Sequence, residues 1–100
     1  MKIPKSYKQY GQTVNIEFRK KMVAKDGDLG AARFGENKIV LQENNEGCPI
    51  LQTQLEQTFL HEKVHMIFHF LGEKDMSENE KLVEGVSQLL HQSIITEELE

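Results

Sequence analysis

Residues 61–65 read His-Glu-Lys-Val-His, inside the stretch TFLHEKVHMIFHFLG. On a helix His61 and His65 lie one turn apart and leave the same face. That spacing lets two imidazole nitrogens meet one zinc ion at about 2.0–2.1 Å. Glu62 points about 100° further round the helix, away from the same ligand shell but within reach of a zinc-bound water as a general base. The chemistry this pattern can perform is hydrolysis by zinc-activated water. An ordinary amphipathic helix acquires the same pattern by chance in roughly one or two chains per hundred. Here the motif follows Leu60 and encloses Val64 in the middle of a long apolar-striped segment, which a solvated surface helix would not supply.

A catalytic zinc takes three protein ligands and keeps one position open. His69 repeats the four-residue spacing but lies about 12 Å from His61 along a continuous helix axis. It also lacks the intervening glycine turn by which a third histidine folds back, so it is set aside. Downstream stand Glu73, Asp75, Glu78, Glu80, Glu84 and His91. Glu73 and Asp75 fall in a turn. Ser77-Glu78-Asn79-Glu80 has the form of a capping box, which would occupy Glu80. Glu84 has no such assignment and is the expected third ligand, with Glu80 as the alternative and Gly85 beside Glu84 permitting close helix approach. Glu84 shares a polar strip with Glu80, Ser87, Gln88 and His91, either a solvated acidic face or the wall of the metal cleft. In the second case the apolar stripe of the same helix lies under the sheet, and His91 could line the cleft.

The elements that must hold these residues are legible in outline. QTVNIEFR alternates Val14, Ile16 and Phe18 against polar neighbours with a period of two. A turn at Asp26-Gly27-Asp28 follows, then LGAARF and KIVLQ joined at Gly35-Glu36-Asn37 as a hairpin. Three or four short antiparallel strands are expected before residue 43, then a loop at ENNEGCP. Pro49 suits a first helical turn, and Leu51, Leu55, Phe59, Leu60, Val64, Ile67, Phe68 and Leu71 carry helical spacing up to a Gly72 cap. A second C-terminal helix carries Leu82, Val83, Val86, Leu89, Leu90 and Ile94, and the acidic tail ITEELE is expected to fray. The fold class is α+β, a small sheet followed by two helices, in a single domain over residues 1–100.

Composition narrows the function classes. A net charge of −4 offers no surface for wrapping nucleic acid or attracting an anionic membrane. The local basic run FRKKMVAK reads as a solvated strand edge. No apolar run reaches the length of a membrane span, and MKIPKSYKQYG lacks the apolar core of a signal peptide. Cys48 is the only cysteine, so no internal disulfide forms. A reducing, cytoplasmic setting is expected.

QTFLHEKVHMIFHFLG followed by MSENEKLVEGVSQLLHQSI resembles the small phage- and prophage-encoded zinc metallopeptidase-like proteins, related to the gluzincins and to the peptidases that act on phage repressors. The helical half carries the specific part of the resemblance, and Lys63 stands where a small or apolar residue is more usual. The resemblance implies a minimal zincin-like domain with His61, His65 and Glu84 as zinc ligands and Glu62 as catalytic base. It further implies that NKIVLQ forms a strand near the cleft, an edge along which an extended substrate could pair. The expected activity is hydrolysis of a peptide bond in a specific cytoplasmic protein, with Zn2+ as cofactor and a protein or peptide as partner. The alternative is a non-catalytic zinc-binding or protein-interaction module of phage origin.

Overall fold

The computed structural model describes residues 1–20, 29–45 and 48–97. The turn expected at Asp26-Gly27-Asp28, most of the basic run and the last three residues of the acidic tail lie outside the described residues. The fold is α+β: a four-stranded sheet followed by three helices. Strands β1 (Ser6–Gln9) and β2 (Gln12–Arg19) form an antiparallel hairpin. Its two-residue turn, Tyr10-Gly11, has positive φ at both positions (51° and 74°), which matches the twist of the flanking strands. Strand β3 (Gly30–Arg33) returns antiparallel into β4 (Lys38–Gln42) through a 3-10 turn at Phe34–Glu36. Asn37, left-handed at φ 47°, closes that turn, a conformation Asn tolerates better than most residues.

The expected all-antiparallel sheet is corrected in its centre. The strand order is β1-β2-β4-β3, and β2 runs parallel to β4 from Asn15↔Lys38 to Arg19↔Gln42. The chain crosses to the far edge as β3 before returning as β4 between its predecessors. Alternation within a strand records which face is buried but not which strand is its neighbour. β4, not an edge, is the best-buried strand: Ile39, Val40 and Leu41 are all fully covered. The ENNEGCP segment carries a two-residue bridge between β5 (Asn44–Asn45) and β6 (Cys48–Pro49) rather than a bare loop.

Helix α1 (Gln52–Leu71) starts three residues after Pro49, with Leu51 as an N-cap that makes no side-chain capping bond. Its end is as expected. Gly72 is left-handed at φ 73°, its N–H bonding the His69 carbonyl, while Glu73 N–H reaches back to Phe68 O at 2.8 Å. This pair of bonds satisfies carbonyls that a helix end otherwise leaves open. Phe59, Leu60 and Met66 pack under Val14, Ile39 and Leu41 to form the core. Lys63, inside the motif, is half-buried. Its stem lies on the apolar layer and its ammonium sits 4.5 Å from the centre of the Tyr7 ring, so the lysine serves packing at a position where an apolar residue would do the same.

The capping box is also overturned. Ser77 belongs to a one-turn helix α2 (Lys74–Glu78), and α3 (Glu80–Glu97) is capped by Asn79. The Asn79 Oδ1 accepts from Leu82 N–H at 3.1 Å and its carbonyl accepts from Val83 N–H at 2.9 Å, the pairing an N-cap residue makes. Asn is as good a cap as Ser, and its use two residues later releases both Ser77 and Glu80. Only part of the apolar stripe of α3 turns inward, where Ile94 packs against the core. Val83, Ser87 and His91 are buried, whereas Leu82, Leu89 and Leu90 are exposed.

Candidate metal centre

His61 and His65 project from the middle of α1 toward the first turns of α3, their ring centres 5.0 Å apart. The Glu80 carboxylate lies against both. Its Oε2 is 3.1 Å from His61 Nε2 and its Oε1 is 3.2 Å from His65 Nε2. One ligand atom from each of these three residues falls within 4.8 Å of the other two. Glu84, one turn along α3 from Glu80, shares the face but not the place. Its Oε2 bonds His61 Nδ1 at 2.7 Å, and Gln88 Nε2 donates to its Oε1 at 2.6 Å. His65 Nδ1 is in turn 3.3 Å from Ser77 Oγ. Of the residues expected as ligands, His61 and His65 come together with Glu80 rather than Glu84, which lies on the Nδ1 side of the His61 ring.

The hydrogen-bonding arithmetic of His61 bears on what belongs between these groups. A carboxylate accepts only, so the Glu84 contact calls for the proton on Nδ1. A neutral ring then turns a bare Nε2 lone pair toward the Glu80 carboxylate, acceptor facing acceptor. A second proton or a cation resolves that conflict. Two imidazole nitrogens and a carboxylate converging on one point form a donor set that zinc accepts with a position to spare. The outer contacts from Glu84 and Ser77 are of the kind that fix tautomer and ring orientation in metal sites. The Gln88 hydrogen bond, opposed by burial and joined by His61, holds the Glu84 carboxyl below its ordinary range. Burial, with His61 nearby, pushes His65 below its ordinary value against the pull of Glu80, which favours the neutral ring a metal requires.

Both histidines, Glu62, Glu80 and Glu84 line one cleft of about 610 Å³, together with Gly30 of β3. Glu62 is buried. Gly30 is there because nothing larger fits: a Cβ would stand 2.6 Å from Thr58 Cγ2 and 3.3 Å from Glu62 Cγ. Among the described residues β3 is a sheet edge, a role the sequence reading gave to NKIVLQ. Gln42 N–H bonds Leu29 O at 2.8 Å, so by antiparallel alternation Leu29, Ala31 and Arg33 face β4 with their backbone groups. The N–H and C=O of Gly30 and Ala32 then face the open edge beside the cleft.

His91 does not line this cleft. It is buried between α1 and α3, with Nε2 2.9 Å from Glu56 Oε1. His69, set aside as a ligand, stacks on Phe34. Sequence reasoning placed Glu80 behind Glu84 and gave Ser77 no part in the site, because the capping box accounted for both. The available signal was the four-residue spacing of Glu80 and Glu84, which puts the two carboxylates on one helix face. Compared with protein-family models, curated proteins and solved structures, the chain matches none.

Proposed function

We propose that this chain holds one zinc ion through His61, His65 and Glu80 and hydrolyses a peptide bond in a protein substrate. The observation that carries the reading is the convergence of two Nε2 atoms on the Glu80 carboxylate, with Glu84 and Ser77 at the backs of the rings. Zinc in such a site lowers the pKa of a water and polarises a carbonyl. The buried Glu62 carboxylate accepts a proton from the attacking water and passes it to the departing amine. Glu84 keeps the Nδ1 proton on His61 and so keeps Nε2 available. Gly30 and Ala32 offer backbone groups along which an extended peptide adds as a strand, holding its scissile bond over the histidines. The resemblance of the helical half to phage-encoded metallopeptidase-like proteins points to the same class of reaction, though with Glu84 rather than Glu80 as ligand, and a cytoplasmic protein substrate fits the single cysteine. No helix among the described residues is long and apolar enough to cross a membrane.

A second reading, a zinc-holding interaction module without turnover, is favoured by the outward apolar stripe of α3, where Leu89 is 71% exposed. Metal analysis and turnover separate the two. The zinc-reconstituted chain is expected to carry one ion, Glu80→Gln to lose it, and Glu84→Gln to keep it with affinity reduced about 10- to 100-fold. Glu62→Gln should retain the ion while cleavage of a mixed peptide pool disappears. A metal-free chain that takes up no zinc at micromolar concentration overturns the metal site. Zinc uptake without turnover in the parent chain selects the second reading.

A further inference from the structure

Beyond the metal cleft, Phe34 lies on the ring of His69 with centroids 4.5 Å apart and planes 15° from parallel. The stacked pair floors a second, smaller cavity of about 300 Å³, rimmed by Gly72, Ser77 and the Lys74–Glu78 ion pair. Phe34 remains 36% exposed, although a phenylalanine is among the residues most often buried. Ser77 joins the two places, since it borders this cavity and bonds the His65 ring.

The position of the cavity relative to the histidines follows from the chain. β3 begins at Gly30, against Thr58 and Glu62 of α1, and leads into Phe34, against His69 of the same helix. Strand and helix therefore run in the same direction past each other. His69 lies four residues beyond His65 and eight beyond His61, about 9 Å of helix from the midpoint of the two, and a strand covers that span in about three residues. A peptide paired antiparallel with β3 runs the other way, from Phe34 toward Gly30. Its residues over the aromatic pair precede the bond held at the histidines.

We infer that the Phe34–His69 cavity is a specificity subsite for a large apolar or aromatic side chain three or four residues before the scissile bond. This rests on the peptidase reading above and adds to it the sequence preference of the substrate. The open ring face of Phe34 offers stacking and apolar contact. The rim charges are already paired with each other, so a charged side chain gains no partner there. Continuity with the β3 edge, which is open among the described residues, is what assigns the cavity to a peptide rather than to a free small molecule.

The test uses the zinc-loaded full chain and acetyl-pentaalanine hydroxamates, in which the hydroxamate chelates the metal and the peptide extends toward Phe34. One phenylalanine is moved through the five positions, and affinity is read by calorimetry with and without zinc. Binding is expected to tighten about tenfold with phenylalanine at the third or fourth residue from the hydroxamate. Phe34→Ala should flatten that scan, and His69→Ala should weaken the preference. A flat scan in the parent chain with zinc-dependent binding intact overturns the subsite and leaves the metal site standing. A preference that survives Phe34→Ala, or that falls at another position, overturns it equally. If no hydroxamate binds in a zinc-dependent way, the peptidase reading fails and the subsite with it.

Discussion

Replacing Gly30 by alanine tests the contact that joins the edge strand to the helix bearing the histidines. The backbone at Gly30 does not need glycine, since its φ lies outside the left-handed region. Adding a methyl at an unstrained glycine ordinarily stabilises a protein by about 0.4–1 kcal/mol, through the unfolded chain. Here the methyl would stand 2.6 Å from Thr58 Cγ2 and 3.3 Å from both Glu62 Cγ and Leu41 Cδ2. Thr58 is β-branched and stiff on its helix, with its hydroxyl committed to Gln54 O at 2.9 Å. The methyl therefore cannot be accommodated by swinging a flexible chain end. Overpacking of this kind costs about 1–3 kcal/mol, and subtracting the gain leaves about 0–2.6 kcal/mol, with about 1–2 kcal/mol in the middle of that range. In a domain of this size that lowers the melting temperature by about 4–16 °C. Two further variants expose the cause. Thr58→Ser removes the offending methyl and keeps the hydroxyl, so adding it to Gly30→Ala should recover at least about 1 kcal/mol of coupling. Gly85→Ala, in α3, where a Cβ meets nothing within 4 Å, should instead stabilise by about 0.5–1 kcal/mol. Urea and thermal unfolding of these three variants, and of the Thr58→Ser single variant that closes the cycle, supply the readout. A neutral Gly30→Ala, or a double variant no better than the single, refutes the packing argument.

Three other outcomes follow from the same geometry. Asn79→Ala should cost about 1 kcal/mol in urea unfolding by removing the α3 cap, whereas Ser77→Ala should leave the helix start intact and weaken zinc binding instead. Zinc at a hundred times its dissociation constant should stabilise the native chain by about 2.7 kcal/mol, visible in a thermal scan as a rise that a chelator reverses and Glu80→Gln lacks. In the metal-free chain, stability should fall as pH drops through two windows. His65 is held below its ordinary imidazole value, so the unfolded chain takes up that proton first and stability is lost below the unfolded pKa. Burial works to raise the Glu56 carboxyl, but hydrogen bonds from His91 and Gln52 outweigh it and hold the group below its ordinary range. Its contribution is present above the unfolded carboxyl pKa and disappears as pH falls through the lower folded one. Denaturant midpoints from pH 8 to 3 check both, and a midpoint that rises on acidification contradicts them.

Local signals were read correctly wherever one residue type serves one backbone need. Gly72 ends α1 because a left-handed residue is required there, and Asn37 closes the β3–β4 hairpin for the same reason. The spacing of His61 and His65 guarantees a shared face once α1 forms. Misreadings arose where two residues could satisfy the same need. Ser77 and Asn79 are both good caps, and choosing Ser77 put Glu80 second to Glu84. The apolar residues of α3 all looked like core, and Val83 and Ile94 do pack inward, but α3 also turns His91, Glu80 and Glu84 toward α1, and Leu82, Leu89 and Leu90 turn outward.

The sequence by itself therefore determined the α+β order of elements, the helix that carries the histidines, and the side of that helix on which they stand. All of these follow from periodicity and from the conformational limits of single residues. Only the tertiary structure decided that β4 lies inside the sheet and β3 at its edge, and that Glu80 rather than Glu84 faces both Nε2 atoms. Those outcomes depend on which elements pack together and at what rotation. Local patterns leave several such arrangements close in free energy, and the contacts of the whole fold choose among them.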